Sequence, residues 1–255
     1  MRSTAPSSFD EHADELPRED WQSYRDSMVR NYDFTRLYAD DIDRIVQGEG
    51  GYRGRGFDVV TGDLDAEDIE ADLQRNEFRN VTEHEGYELY EHAEADQVGT
   101  AMGVEDGTLL VAGGPNGGDA VRTVEDVIDA QIGEARRYAA VDSEFERLME
   151  AATVRDYFIG VTEEPPDETN AERGRFRNQI GIAFSIGLDD GDSDLSMTVL
   201  FQDERDPRER DLEDWTRESD NFRLWRDIEI SIEEEVARID ATIPTRDVLE
   251  GGLIV

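Results

Sequence analysis

Ile180-Gly-Ile-Ala-Phe-Ser-Ile-Gly-Leu188, the turn-rich Asp189 to Asp194, and Leu195-Ser-Met-Thr-Val-Leu-Phe201 decide the fold class. Ile180, Ile182, Phe184, Ile186 and Leu188 alternate with small residues, and Leu195, Met197, Val199 and Phe201 alternate on the return, which is the period of two of an antiparallel hairpin. Downstream, Leu212 and Trp215 predict a helix over that hairpin, and Leu224 to Ile232 and Val236 to Ile243 predict a second strand pair joined around Glu233-Glu234-Glu235. Upstream, a strand is expected near Tyr157 to Val161, and Thr162 to Arg175, with Pro165-Pro166, reads as a surface loop.

The first half mixes the same ingredients. Trp21 to Val29 reads as a helix, Tyr32 to Tyr38 as a strand, Ile42 to Val46 as a short helix, Gly48 to Gly54 as a loop and Phe57 to Val60 as a strand. Asp63 and Asp65 offer N-caps for a helix striped by Ala66, Ile69 and Leu73, which Phe78 closes onto the core. Three strands follow, Val81 to Tyr90, Val98 to Val104 and Thr108 to Ala112, the last two joined by the hairpin signal Asp106-Gly107. On the middle one Gly99, Ala101 and Gly103 form a small-residue face, which predicts an element packed closely against it. A helix is expected from Asp119 to Gly133, and another from Ser143, where Ser143 and Glu146 have capping-box spacing. Hairpins interleaved with helices predict an α+β fold, mostly antiparallel sheet with helices packed on one face. Val60 to Phe78 and Phe201 to Phe222 share one order of strand, acidic turn, helix and Phe, a common order that leaves two readings of the α+β region 21–255: one undivided region, or two similar α+β halves as subdomains 21–152 and 153–255. Residues 1–20 lack periodicity and read as a flexible acidic tail.

The chain has 255 residues, 64 acidic and 26 basic side chains, a net charge of −38 and no cysteine. Disulfides and thiolate metal sites are thereby excluded. Low hydrophobicity with high net charge is the signature of disorder, but periodic apolar segments recur from Tyr32 to Ile243, and 10 Phe, 8 Tyr and 3 Trp supply a core. Every basic residue is Arg, for the sequence contains no lysine. That pattern fits a solvent of very high salt, where the Debye length falls to about 3 Å at 1 M and dense carboxylates stop repelling one another. Direct nucleic-acid binding through counterion release is not expected, because the arginines are too few and too scattered to form a dominant patch. No apolar run approaches the about 20 residues of a spanning helix. No signal-peptide core follows Met1-Arg2, so the literal sequence predicts a cytoplasmic protein.

Candidate chemistry is sparse. Asp190, Asp192 and Asp194 have the one-three-five spacing of a calcium loop, yet Leu195 and Phe201 stand where that loop needs Gly and Glu, so a solvated turn is favoured and no metal is assigned. Gly113 to Gly118 lies between a strand and a helix like a phosphate loop, but without lysine or the GxGxxG spacing it reads as a plain connection. No cofactor is expected. His84 and His92, on one straight strand, would be about 26 Å apart, too far to share a metal, and His12 lies in the tail. Paired carboxylates are the hardest to dismiss, with Glu88, Asp227, Glu229 and Asp240 on apolar-flanked strands, although parity places Glu88 and Glu229 on outer faces. Asn80-Val81-Thr82 is a glycosylation sequon that matters only in an exported protein. Catalytic residues stay unknown at this level.

Phe57-Asp-Val-Val-Thr-Gly62, Gly86-Tyr-Glu-Leu-Tyr90, Gly107-Thr-Leu-Leu-Val-Ala-Gly113 and Val127-Ile-Asp-Ala130 resemble motifs of a group of acidic haloarchaeal proteins of unassigned activity, over about Trp21 to Pro244. Many of that group look like secreted lipoproteins. The resemblance implies a cell-envelope or extracellular location if a leader lies upstream of Met1, and it carries no catalytic residue. The leading expectation is a non-catalytic binding or interaction module with a possible protein partner. The alternatives are a carboxylate-dependent hydrolase and an acidic mimic of nucleic acid that occupies a basic protein.

Overall fold

The computed structural model describes residues 1–50, 55–92, 99–114, 117–133 and 142–249. Parts of the expected loop at Gly48 to Gly54, residue Val98, and Pro115-Asn116 of the glycine run lie outside them. The backbone forms two compact units, Met1–Asp10 with Gln22–Arg137, and Glu11–Trp21 with Tyr138–Val255. Both are α+β, with helices on antiparallel sheet.

In the first unit the strands are β1 (Arg2–Thr4), β2 (Ile42–Gly50), β3 (Arg55–Gly62), β4 (Phe78–His84), β5 (Tyr87–His92), β6 (Gly99–Glu105) and β7 (Thr108–Gly114), in the order β1-β2-β3-β7-β6-β5-β4. All neighbours are antiparallel. The helices are α1 (Pro6–Glu11), the part of α2 (Arg18–Val29) from Gln22 onward, α3 (Ala66–Arg75) and α4 (Gly117–Ile132). Residues 1–20 are therefore not a flexible tail. Ser3 pairs with Val46 in the sheet, Phe9 is fully buried, and Ala5 and Leu16 are buried as well. A Ser- and acid-rich composition concealed three well-placed apolar side chains.

Ile42 to Val46 is strand, not helix. A register shift between Ile42 and Arg44 inserts one unpaired residue, which turns Ile42 and Ile45 to the same buried side. Three-residue spacing on one face imitates a helix, and a β-bulge produces it in a strand. Tyr32 to Tyr38 is a 3-10 turn (Arg30–Tyr32) and bends rather than a strand. Helix α3 supplies its hydrogen bonds: the Arg36 amide donates to Asp72 Oδ2 at 3.0 Å and Asn76 Nδ2 donates to the Phe34 carbonyl at 2.9 Å. Val81 to Tyr90 is broken by Glu85-Gly86, both at positive φ, into the β4–β5 hairpin. His84 consequently sits at the turn and His92 at the open end, opposite Phe78.

Helices cover both faces of this sheet. Helix α3 sets Ile69 and Leu73 against Val60, Met102 and Leu109, while α4 sets Ala120, Val124 and Ile128 against Leu89, Ala101 and Leu110. Strands β6 and β7 are apolar on both sides, so one covered face would leave the other wet. The small-residue face serves α4 as expected: a Cβ on Gly103 would lie 2.9 Å from Val124 Cγ1.

The second unit contains α5 (Ser143–Ala151), β8 (Tyr157–Thr162), β9 (Gln179–Gly187), β10 (Asp192–Phe201), α6 (Glu209–Glu218), β11 (Arg226–Glu233) and β12 (Val236–Pro244), with strand order β11-β12-β10-β9-β8. Helix α5, grouped by the sequence with the first half, packs on β8, β9 and β10. Its N-cap is Asp142, whose Oδ1 accepts from the Glu144 and Phe145 amides at 3.0 Å, one residue before the expected Ser143. The β9–β10 hairpin forms as expected, with Leu195, Met197 and Val199 opposite Ile186, Phe184 and Ile182, although its turn is shorter than Asp189 to Asp194, since β10 begins at Asp192. Trp215 of α6 joins it through Phe222 and Trp225, whose ring stacks 5.9 Å from Phe184.

The two units share a path. In each, a hairpin (β2–β3 or β9–β10) is followed by a helix (α3 or α6), then by a strand at the sheet edge whose meander returns to pair with the hairpin. The return takes four strands in the first unit and two in the second. One additional hairpin preserves the direction of the last strand, so both returns are antiparallel.

Candidate functional site

On β12, Ala237 and Ile239 point into the core, so Arg238 projects from the opposite side of the strand. Leu200 pairs with Val236 and Thr198 with Arg238, which puts Leu200, Val236 and Arg238 on one face of the sheet. Helix α5 buries Phe145 and Leu148, and its flank carries Arg147, Glu150 and Ala151 to the same place. The β11–β12 turn, held by Glu234 at φ 54°, closes the third side with Glu233, Glu234 and Glu235. These three elements line a shallow, open cleft of about 450 Å³ with Leu200 among its lining residues.

Two guanidiniums are fixed in this cleft by backbone carbonyls. Arg147 Nη2 donates to Glu235 Oε1 at 2.8 Å and to the Phe201 carbonyl at 3.3 Å. Arg238 Nη2 donates to the Ala151 carbonyl at 3.0 Å, on the last residue of α5, where a cation meets the negative end of the helix dipole. Its Nη1 reaches Glu233 Oε2 at 3.4 Å. The Arg147 hydrogen bond holds the Glu235 carboxyl below the usual carboxylate range. Glu235 is thus anionic, whereas a general acid would need its pKa raised.

The sequence-selected residues lie elsewhere. Asp190, Asp192 and Asp194 diverge: Asp190 faces His12 at 3.2 Å, Asp192 faces Arg226 at 3.6 Å and Asp194 takes a hydrogen bond from Arg155 at 2.8 Å. Gly191, at φ 85°, turns the chain between them and donates its amide to Glu15 at 2.8 Å. Among the described residues no group of three or more His, Asp or Glu is placed to hold a metal. Asp227, Glu229 and Asp240 are exposed on their strands, and half-buried Glu88 accepts from Asn80 Nδ2 at 2.5 Å. None of these four acids lines the cleft. His84 and His92 lie on the two strands of a hairpin rather than on one straight strand, His84 against Asp129 at 2.6 Å and His92 edge-on to Phe78 with ring centroids 5.0 Å apart.

The acids that burial does distinguish are Asp72 and Asp58. Asp72, 5% exposed, takes the Arg36 amide and ion-pairs with Arg75, so it pins the 30–38 segment to α3. Asp58 accepts from Tyr32 Oη at 2.9 Å and Gln47 Nε2 at 3.1 Å, and burial raises its pKa. Burial and the Asp58 charge together push the Tyr32 hydroxyl well above its ordinary value. Both networks tie elements of the first unit together, and no hydrogen bond in them is left without its partner, which marks them as structural.

No protein-family model and no curated protein matches this sequence. Solved structures do resemble it. Crystal forms III and IV of TP0453 each align with a TM-score of 0.56 at 8% identity, over 97% of this chain and 91% and 90% of theirs. Crystal form I aligns with a TM-score of 0.54 at 8% identity, over 97% of this chain and 90% of that one. At such identity the likeness concerns the fold alone. No helix among the described residues is long and apolar enough to cross a membrane.

Proposed function

We propose that the protein is a non-catalytic binding module adapted to brine, and that the cleft of the second unit is where it binds. The observation that carries this reading is the fixed pair Arg147 and Arg238, each oriented by a main-chain carbonyl and each about a third exposed, at 36% and 31%. Orientation without burial suits a group that recognises a ligand. The acid chemistry of a hydrolase finds less support, since Glu235 is held ionised beside Arg147. Adaptation to brine, and the likeness to haloarchaeal proteins, are supported by −38 charges and the all-arginine basic set.

Ligand-observed NMR of a small-metabolite library in molar KCl tests this. The expected result is a compound whose binding is lost in Arg238→Gln and which leaves the tube unchanged. A library without any such compound, or one converted to product, contradicts the reading.

A further inference from the structure

We infer that the cleft takes a small zwitterion of the free amino-acid type, with its carboxylate on Arg147 and Arg238 and its ammonium on Glu233 and Glu234 of the β11–β12 turn. This deepens the binding-module reading and rests on it. The lining holds both signs of charge, two guanidiniums and the carboxylates of Glu150, Glu233, Glu234 and Glu235. A simple anion entering would meet those four carboxylates inside a chain of net charge −38, and a simple cation would meet the two arginines. A molecule carrying one charge of each sign is matched at both ends.

The internal ion pairs show how it is held. Glu235 occupies Arg147 at 2.8 Å and Glu233 approaches Arg238 at a looser 3.4 Å, so protein carboxylates stand where a ligand carboxylate would go. The ligand carboxylate replaces the longer contact first, because Glu233 is 77% exposed and free to turn back into water. The released Glu233 and its neighbour Glu234 then face the ammonium. Ala151, Leu200 and Val236 supply an apolar lining, which suits an aliphatic side chain, and about 450 Å³ lies toward the small end of ordinary ligand pockets. Charge-assisted contacts over such short distances persist in salt that screens longer ones.

Leucine is the probe, with leucinamide lacking the carboxylate and 4-methylpentanoate lacking the ammonium, each titrated calorimetrically into the full chain in molar KCl. Leucine should bind, and each truncated analogue should bind at least about tenfold more weakly. Arg238→Gln should weaken leucine by a similar factor. Glu235→Gln, which frees Arg147, should tighten it, and a gain cannot come from misfolding. Equal binding of 4-methylpentanoate and leucine would overturn the zwitterion, as would no tightening in Glu235→Gln. If leucine fails while a library compound binds through Arg238, the ligand assignment falls and the binding module stands; if neither binds, both fall.

Discussion

His84 Nε2 lies 2.6 Å from Asp129 Oδ1, joining the β4–β5 turn to α4. The hydrogen bond to Asp129 raises the His84 pKa above its ordinary value, with Glu125 and Glu85 adding to the effect and partial desolvation opposing it. A histidine whose folded pKa exceeds its unfolded value stabilises the fold fully below about pH 6.5, and that contribution fades as pH rises through the raised pKa. Thermal melts across that window at fixed salt should therefore show a loss of stability toward alkaline pH that Asp129→Asn abolishes. The same slope in both proteins would place the titrating group elsewhere. This pair escaped the sequence because its members are 45 residues apart. The cleft escaped for the same reason, since Arg147 and Glu235 are 88 residues apart and nothing distinguishes either among 26 arginines or 64 acids.

Elements were more legible where a period was clean. The β9–β10 hairpin, the α3 stripe Ala66, Ile69, Leu73 and the Asp106-Gly107 turn lie where alternation, spacing and glycine place them. Errors came where a local device changed the period: the bulge near Asp43 made β2 look helical, and side-chain partners on α3 replaced the strand expected at Tyr32 to Tyr38. Glu85-Gly86 was a readable turn signal inside what looked like one strand. The small-residue face of β6 gives the sharpest prediction at this scale. Gly103→Ala should cost about 1–3 kcal/mol, because its Cβ would press on Val124 at 2.9 Å. Chemical denaturation should show that Val124→Ala recovers part of this loss when combined with it, a non-additivity expected only of residues in contact. Strictly additive costs would remove α4 from that face.

For the molecule as a whole, the charge of −38 is the dominant physical fact. Several of its arginines pair with nearby acids, as in Arg79 with Glu91, Arg155 with Asp194 and Arg217 with Asp214, and such surface pairs contribute little each. With 64 acids against 26 arginines, one-to-one pairing would leave most carboxylates without a partner, and on the proposed reading the solvent screens their self-repulsion. That is why acids could not mark a site in the sequence, and why the proposed site rests on the two oriented arginines of the cleft. The most direct test is a pair of thermal melts followed by circular dichroism, one in molar KCl and one after dialysis to millimolar salt. The account predicts a cooperative transition at high salt and an unfolded or strongly destabilised chain at low salt. An equally cooperative melt at the same temperature in both would contradict it.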